Sequence, residues 1–317
     1  MDQASSKYVD QLAAEKLLNE KLRQVHHRPG KGYNPADYNF DDWNGFTVLP
    51  EPVHETAYEK YSLITFPSAI PCEDEENNRV HCRCFAAAGN KGNVIFVHGL
   101  YEENLQIYHF FISLLREQGL NVYVMLLPYH YERKPARSRF SGEFFWSADL
   151  DRNARALKQS VYDLTQLYHY IKHKNDRPLW ICGFSMGGGI ALTLVSVMAV
   201  DGIFCINPVC NIASLVWNSL LFSSIKEDLV ASGITLSEIE TRYRHFEPLN
   251  ISAIKIPGEK VVIATGLYDQ INDPANYERL IAHWQINHSI RYKAGHLNIL
   301  RVPKLARDVA NYYFGKR

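Results

Sequence analysis

Hydrophobic positions along the chain change period several times, and each change marks an element. Residues 8–25 carry apolar side chains at Tyr8, Leu12, Leu18, Leu22 and Val25 with charges between them, the spacing of one amphipathic helix. His26, His27 and Arg28 suit its C-terminal end, and Pro29-Gly30 stops it. Its apolar face is expected to pack on the domain or on a partner subunit, the latter giving a homo-oligomer. Residues 30–60 mix Tyr, Asn, Asp and Pro, and the recurring aromatics predict an ordered wrap rather than a loose linker. Short apolar runs at 62–66 and 79–86 read as antiparallel strands joined by a polar turn. A third run, 92–97, precedes a helix over 102–118, and 121–127 is again a strand. Residues 128–147 form a loop, and 148–174 a long amphipathic helix.

The second half continues the alternation. A strand at 179–182 leads into an Ala/Leu/Val-rich helix, and 202–206 is the next strand. Residues 211–246 show two or three helical segments and no strand pattern, with Thr235 and Glu238 in the spacing of a capping box. A strand at 260–265, a helix at 274–286, a strand at 289–293 and a last helix towards Tyr313 complete the chain. Strands alternating with helices of this length predict βαβ units and a mostly parallel sheet. The stretch from Pro178 to Ile225 holds one charged residue, Asp201, and its length alone would allow a membrane span. Three consecutive glycines, Gly187 to Gly189, and a strand-like run on either side of the helix favour a buried strand–helix–strand unit instead.

Within that unit stands Gly183-Phe184-Ser185-Met186-Gly187, a serine between glycines at a strand-to-helix junction. A turn this sharp strains the serine backbone and is possible only where its neighbours lack bulk. The hydroxyl is then lifted above a helix N-terminus that favours developing negative charge. Such a nucleophile needs a base, and the base an orienting carboxylate. Asp269 follows the strand at 260–265, and His296 follows the strand at 289–293. Both therefore fall on the carboxyl edge of the sheet, together with Ser185. Asp273 is a rival acid, but it precedes Pro274 and reads as a helix N-cap. His98-Gly99 follows the strand at 92–97. Its loop supplies one oxyanion donor, Leu100 N–H, and Met186 N–H supplies the other, while His98 itself is expected to be a structural hydrogen-bonding residue.

Composition narrows the class. The chain has 317 residues, 46% hydrophobic and 21% charged, enough for one large α/β domain with a substantial core. Its 34 basic and 34 acidic residues cancel, so nothing favours nucleic acid or an anionic membrane as a partner. The N-terminus lacks a basic segment followed by an apolar core, and six cysteines without such a signal predict reduced thiols in the cytoplasm. Cys82 and Cys84 lack a second pair and read as core or half-buried thiols rather than metal ligands.

Through Val97-His98-Gly99-Leu100, Gly183-Phe184-Ser185-Met186-Gly187, Tyr268-Asp269 and Gly295-His296, the chain from about residue 62 to 313 resembles the α/β-hydrolase superfamily. The resemblance implies an eight-stranded sheet with its second strand antiparallel and a helical cap at about 211–247. Residues 1–60 have no counterpart in the minimal fold and are expected to pack on the hydrolase domain, 61–317. The implied activity is cleavage of a carboxylic ester or thioester, a small-molecule acyl substrate, through Ser185, His296 and Asp269, with no metal or organic cofactor. The same triad would serve a peptidase, an acyltransferase or a carbon–carbon bond hydrolase, and the fold also supports a binding or scaffold protein without turnover. Finally, the loop at 128–147 places Arg133, Lys134, Arg137 and Arg139 among aromatics. With the cap, part of it is expected to shape the substrate pocket and receive an acidic group.

Overall fold

The computed structural model describes residues 2–30, 32–44, 46 and 49–315. Nine strands among the described residues form one sheet: β1 (His54–Ala57), β2 (Ser62–Pro67), β3 (Arg79–Phe85), β4 (Gly92–Val97), β5 (Leu120–Met125), β6 (Leu179–Phe184), β7 (Gly202–Ile206), β8 (Val261–Gly266) and β9 (His288–Tyr292). Their order is β1-β2-β3-β5-β4-β6-β7-β8-β9. Strands β4 to β9 run parallel, and β1, β2 and β3 form an antiparallel lead-in that joins them through β5. The expected eight strands thus gain a ninth, β1, from the N-terminal extension. All four of its residues are exposed, so it lacks the alternation by which a strand announces itself.

The helices are α1 (Gln3–Glu20), α2 (Gln106–Glu117), α3 (Leu150–Lys174), α4 (Met186–Val197), α5 (Ile212–Asn218), α6 (Ser223–Ala231), α7 (Leu236–Tyr243), α8 (Pro274–His283) and α9 (Pro303–Tyr313). Strand β4 shows how the layers form. Its six residues are all buried, because helices cover both faces of the sheet. Val94 and Phe96 point to the face covered by α2 and α9, where they meet Phe111, Leu115, Leu305 and Val309. Ile95 and Val97 point to the other face, against Leu157 and Val161 of α3 and Ile190 and Leu194 of α4. Helices α5, α6 and α7 form the cap between β7 and β8, and Thr235 caps α7 by accepting a bond from Glu238 N–H. None of the helices among the described residues is long and apolar enough to cross a membrane.

The N-terminal extension packs on this domain. Phe40, Trp43 and Phe46 gather around Tyr162 of α3, and Tyr38 Oη donates to Asp151 Oδ1 at 2.6 Å. Helix α1 begins earlier than expected and ends in a short 3₁₀ turn at Leu22–Gln24. Its buried stripe is Ser6, Asp10, Ala14 and Leu18, whereas Tyr8 and Leu12 are 64% and 50% exposed. The expected apolar face is therefore corrected in its first two turns. The reason lies in what the helix covers: loops at the carboxyl edge of the sheet, whose free backbone N–H groups need acceptors more than they need apolar cover.

Candidate active site

Ser185 sits between β6 and α4 at φ 53°, ψ −117°, the left-handed side that a residue with a side chain rarely takes. The cost, of order 1–3 kcal/mol, is held by local bonds. Ser185 N–H donates to Ile206 O at 2.9 Å, and Ser185 O accepts from Gly189 and Val209 N–H at 3.1 and 3.0 Å. The flanking glycines are required by close approach. A Cβ on Gly183 would overlap the Gly187 carbonyl, and one on Gly187 the Val97 carbonyl.

His296 and Asp269 converge on this serine. His296 Nε2 lies 3.0 Å from Ser185 Oγ, and His296 Nδ1 lies 2.9 Å from Asp269 Oδ2. Asp269 is fixed in turn: Oδ1 accepts from Ile271 and Asn272 N–H at 2.8 and 3.0 Å, and Oδ2 from Tyr277 Oη at 2.9 Å. An acceptor at Nδ1 makes Nε2 the free base facing the hydroxyl. Burial works against protonation of His296, but the charge and bond of Asp269, with the charges of Asp10 and Glu102, outweigh it and hold the imidazole above its ordinary value. Asp273 is instead the N-cap of α8, its Oδ1 accepting from Ala275 N–H at 2.9 Å.

The loop after β4 is braced from behind. His98 Nδ1 bonds Gly99 O at 2.7 Å, and its Nε2 accepts Leu127 N–H at 3.0 Å. His130 repeats the arrangement with Pro128 O at 2.8 Å and Tyr101 N–H at 3.1 Å. Each ring donates once and accepts once, so both are neutral, and burial takes the pKa of His98 down to about 4. Gly99 and Tyr101 N–H are thereby engaged, by Tyr108 Oη at 3.0 Å and by His130, on either side of Leu100. Met186 is the first residue of α4, where N–H groups have no partner within the helix.

A cavity of about 300 Å³ opens onto Ser185 and His296. Leu100 and Ile107 line it from the β4 side, Val209, Leu215, Leu221 and Phe222 from the cap side, and Ile271 and Leu297 from the loops beside the triad. Helix α1 closes the remaining wall with Ala13, Ala14 and Leu17, and brings Lys16, Glu20 and Lys21 to the rim. The cap segment thus meets the cavity as expected, but the basic loop does not. Arg133 is fully buried and donates to Asp163 Oδ2 and Asn77 O, both at 2.8 Å, and to Leu126 O at 3.1 Å. Lys134 Nζ donates to Ser138 O at 3.1 Å. Arg137 forms a fork with Asp74 at 2.8 Å on both oxygens, over the Phe144 ring, and Arg139 donates to Gln24 O. None of the four lines the cavity, so the expected acidic-group site is corrected: partners within the protein already take these cations.

Three residues that the sequence pattern did not single out stand beside the triad. Asn207, at φ 43°, accepts Gly266 N–H at 2.7 Å and donates from Nδ2 to His296 O at 3.0 Å, tying the ends of β7 and β8 to the histidine loop. Tyr277 supports Asp269. Glu102, half-buried in the cavity wall, accepts from Tyr108 Oη at 3.0 Å, and burial raises its pKa to about 7. Strand-end position marks Asn207 in the sequence; nothing local marks the other two.

Known proteins resemble this chain in sequence profile and in fold. The profile of the family described as serine aminopeptidase, S33, matches residues 88–246, half of the chain, and ends before Asp269 and His296. No curated protein matches the sequence. Among solved structures, an acetyl xylan esterase from Paenibacillus sp. R4 superposes with a TM-score of 0.65 at 13% identity, covering 93% of this chain and 98% of that one. Acetyl xylan esterase 1 from Thermoanaerobacterium sp. JW/SL YS485 gives 0.58 at 15% identity, covering 91% and 98%. A soluble variant of monoglyceride lipase from Saccharomyces cerevisiae, in complex with a substrate analogue, gives 0.52 at 15% identity, covering 86% and 97%. At these identities the likeness is one of fold. With the profile match and the sheet order, it identifies the chain as a serine hydrolase of the α/β-hydrolase superfamily, in the S33 serine aminopeptidase family.

Proposed function

We propose that the protein hydrolyses a carboxylic ester or thioester with an apolar acyl chain, through an acyl-enzyme on Ser185. The observation that carries this reading is the hydrogen-bonded line Ser185–His296–Asp269 opening into a cavity whose walls are mostly aliphatic. His296 Nε2 takes the Ser185 proton as Oγ attacks the acyl carbon, and Asp269 holds the tautomer and stabilises the imidazolium. Met186 and Leu100 N–H receive the oxyanion. His296 then passes its proton to the departing alcohol or thiol, leaving the acyl group on Oγ. Water enters, gives a proton to the same nitrogen and attacks the acyl carbon. The tetrahedral intermediate collapses, and Ser185 regains its proton.

The family description suggests a second reading, an aminopeptidase, and Glu102 favours it as a carboxylate in the cavity wall able to receive an amino group. We place it second because the cavity walls are mostly aliphatic, and burial of an acyl chain gains about 25 cal/mol per Å² of apolar area. Labelling with a fluorophosphonate and locating the adduct by mass tests the nucleophile. A p-nitrophenyl ester series of increasing chain length, set against aminoacyl p-nitroanilides, tests the substrate class. Faster anilide than ester cleavage would reverse the ranking.

A further inference from the structure

Helix α1 meets the catalytic edge through a polar contact that packing alone does not require. Asp10 is fully buried. Its Oδ2 accepts His296 N–H at 2.5 Å and Gln270 N–H at 3.3 Å, and its Oδ1 accepts Leu297 N–H at 3.1 Å. One carboxylate thus holds the backbone on both sides of the His296–Asp269 bond. One turn earlier, Ser6 Oγ accepts from Asn298 Nδ2 at 3.1 Å, and Asn298 Oδ1 accepts Gly295 N–H at 2.6 Å. Gly295 is a glycine for the same reason, since a Cβ there would run into Asp10 Oδ2 and Ser6 O. One turn later, Ala13, Ala14 and Leu17 form a wall of the substrate cavity.

A buried carboxylate is costly unless bonded, and an apolar residue at position 10 would leave the loop N–H groups without acceptors. Three backbone N–H groups on the two triad loops receive it instead, so what the carboxylate fixes is the placement of the base and of its acid. We propose that Asp10 is a positioning residue for His296, and that docking of α1 is what aligns the triad and closes the acyl pocket. The inference rests on the hydrolase reading above. It makes α1 part of the active site: where the helix is undocked, the two triad loops lose three acceptor contacts and the cavity loses a wall together.

The groups facing His296 are Asp269, Asp10 and Glu102, with Lys21, the residue that follows α1, acting on Glu102. Removing the Asp10 charge therefore withdraws support from the imidazolium and lowers the pKa of His296. The test compares wild type, Asp10→Asn, Asp10→Ala and the exposed-face control Tyr8→Ala in the full chain. Melting temperature, the fluorophosphonate labelling rate and the pH profile of kcat/KM on a p-nitrophenyl ester are measured for each. We expect Asp10→Asn and Asp10→Ala to lose on the order of 10²-fold in kcat, as a misplaced base does, with little change in KM for a short-chain ester. The acid limb of kcat/KM should move to lower pH, and Tyr8→Ala should match wild type. A folded Asp10→Asn with wild-type kcat and an unmoved acid limb overturns the proposal. So does failure of both Asp10 variants to fold, which would make Asp10 a residue of stability alone. If wild type itself takes no label at Ser185, the hydrolase reading has failed rather than this one.

Discussion

Tyr277 Oη donates to the same Asp269 oxygen that receives His296 Nδ1, each at 2.9 Å. The oxygen that holds the base is thereby shared with a tyrosine on α8 that is itself buried. Tyr277→Phe removes one of four bonds to the carboxylate and should cost about 1 kcal/mol in stability and a few-fold in kcat. Asp269→Asn gives the histidine the wrong tautomer and should cost about 10⁴ in kcat. Asp273→Asn, a cap variant, should leave kcat unchanged and lower stability by about 1 kcal/mol at most. Steady-state rates with urea midpoints separate the three, and loss of activity only at position 273 would reverse the choice of acid.

Ser185→Ala and His296→Ala should each remove about 10⁶ in kcat, judged from the subtilisin series, with little effect on unfolding midpoint. Replacing Ser185 relieves no glycine requirement, because the strained φ belongs to the turn rather than to the hydroxyl. Near-wild-type turnover by pure Ser185→Ala protein would exclude the mechanism.

Arg133 and Asp163 form an ion pair with both side chains fully buried. Burial pushes the Asp163 carboxyl upward against the opposing charge of Arg133. Arg133→Ala strands the carboxylate and should cost about 3–5 kcal/mol, whereas the double variant with Asp163→Ala should cost less than the two single changes added together. Arg137→Ala, which removes a half-exposed guanidinium, and Arg139→Ala, whose partner Gln24 is exposed, should cost about 1 kcal/mol. None should raise KM selectively for an anionic ester over a matched neutral one, and a selective rise would return the basic loop to the substrate site.

Two pH dependences follow. His296 titrates above its ordinary value, so kcat/KM should fall as pH drops through a midpoint above about 6.5. Glu102→Gln removes one of the charges that support the imidazolium and should move that midpoint down. Separately, Glu247 is buried in the cap, accepting Ala213 N–H at 2.8 Å and Asn250 Nδ2 at 2.7 Å, and burial raises its pKa to about 7. A raised folded-state pKa means that the folded protein binds the proton more tightly. Its contribution is therefore complete below about 4.5 and is lost as pH rises through about 7, on the order of 3 kcal/mol across that window. Glu247→Gln should flatten this slope, as unfolding midpoints at pH 5 and pH 8 would report.

The mostly parallel sheet and the convergence of Ser185, Asp269 and His296 were legible because each of the three follows a run of strand length. Strand ends on one edge of a parallel sheet come together whatever lies between them. What stayed hidden depends on partners far away in the chain. Asp10 reads as the wet side of an amphipathic helix, since periodicity equates polar with exposed, and Ser6 falls before the start of the helix at 8–25. It cannot register a surface made of backbone N–H groups. The cations of the loop at 128–147 read as available for a ligand because their acceptors are carbonyls, invisible to sequence, and acids on distant elements, Asp74 and Asp163. Strand β1 is short, exposed on every residue and recognisable only by its pairing with β2.

Asp10 and His296 touch across 286 residues of chain, one in the first helix and the other beyond the last strand. On the reading that Asp10 positions the base, α1 comes before the surface it rests on, so its docking must wait for the segment after β9. On that reading the sheet can be almost complete while the base is still unplaced. Closing a loop of that length costs more entropy than any contact within the sheet, so on that reading the alignment of Ser185, His296 and Asp269 depends on one of the contacts most distant in sequence.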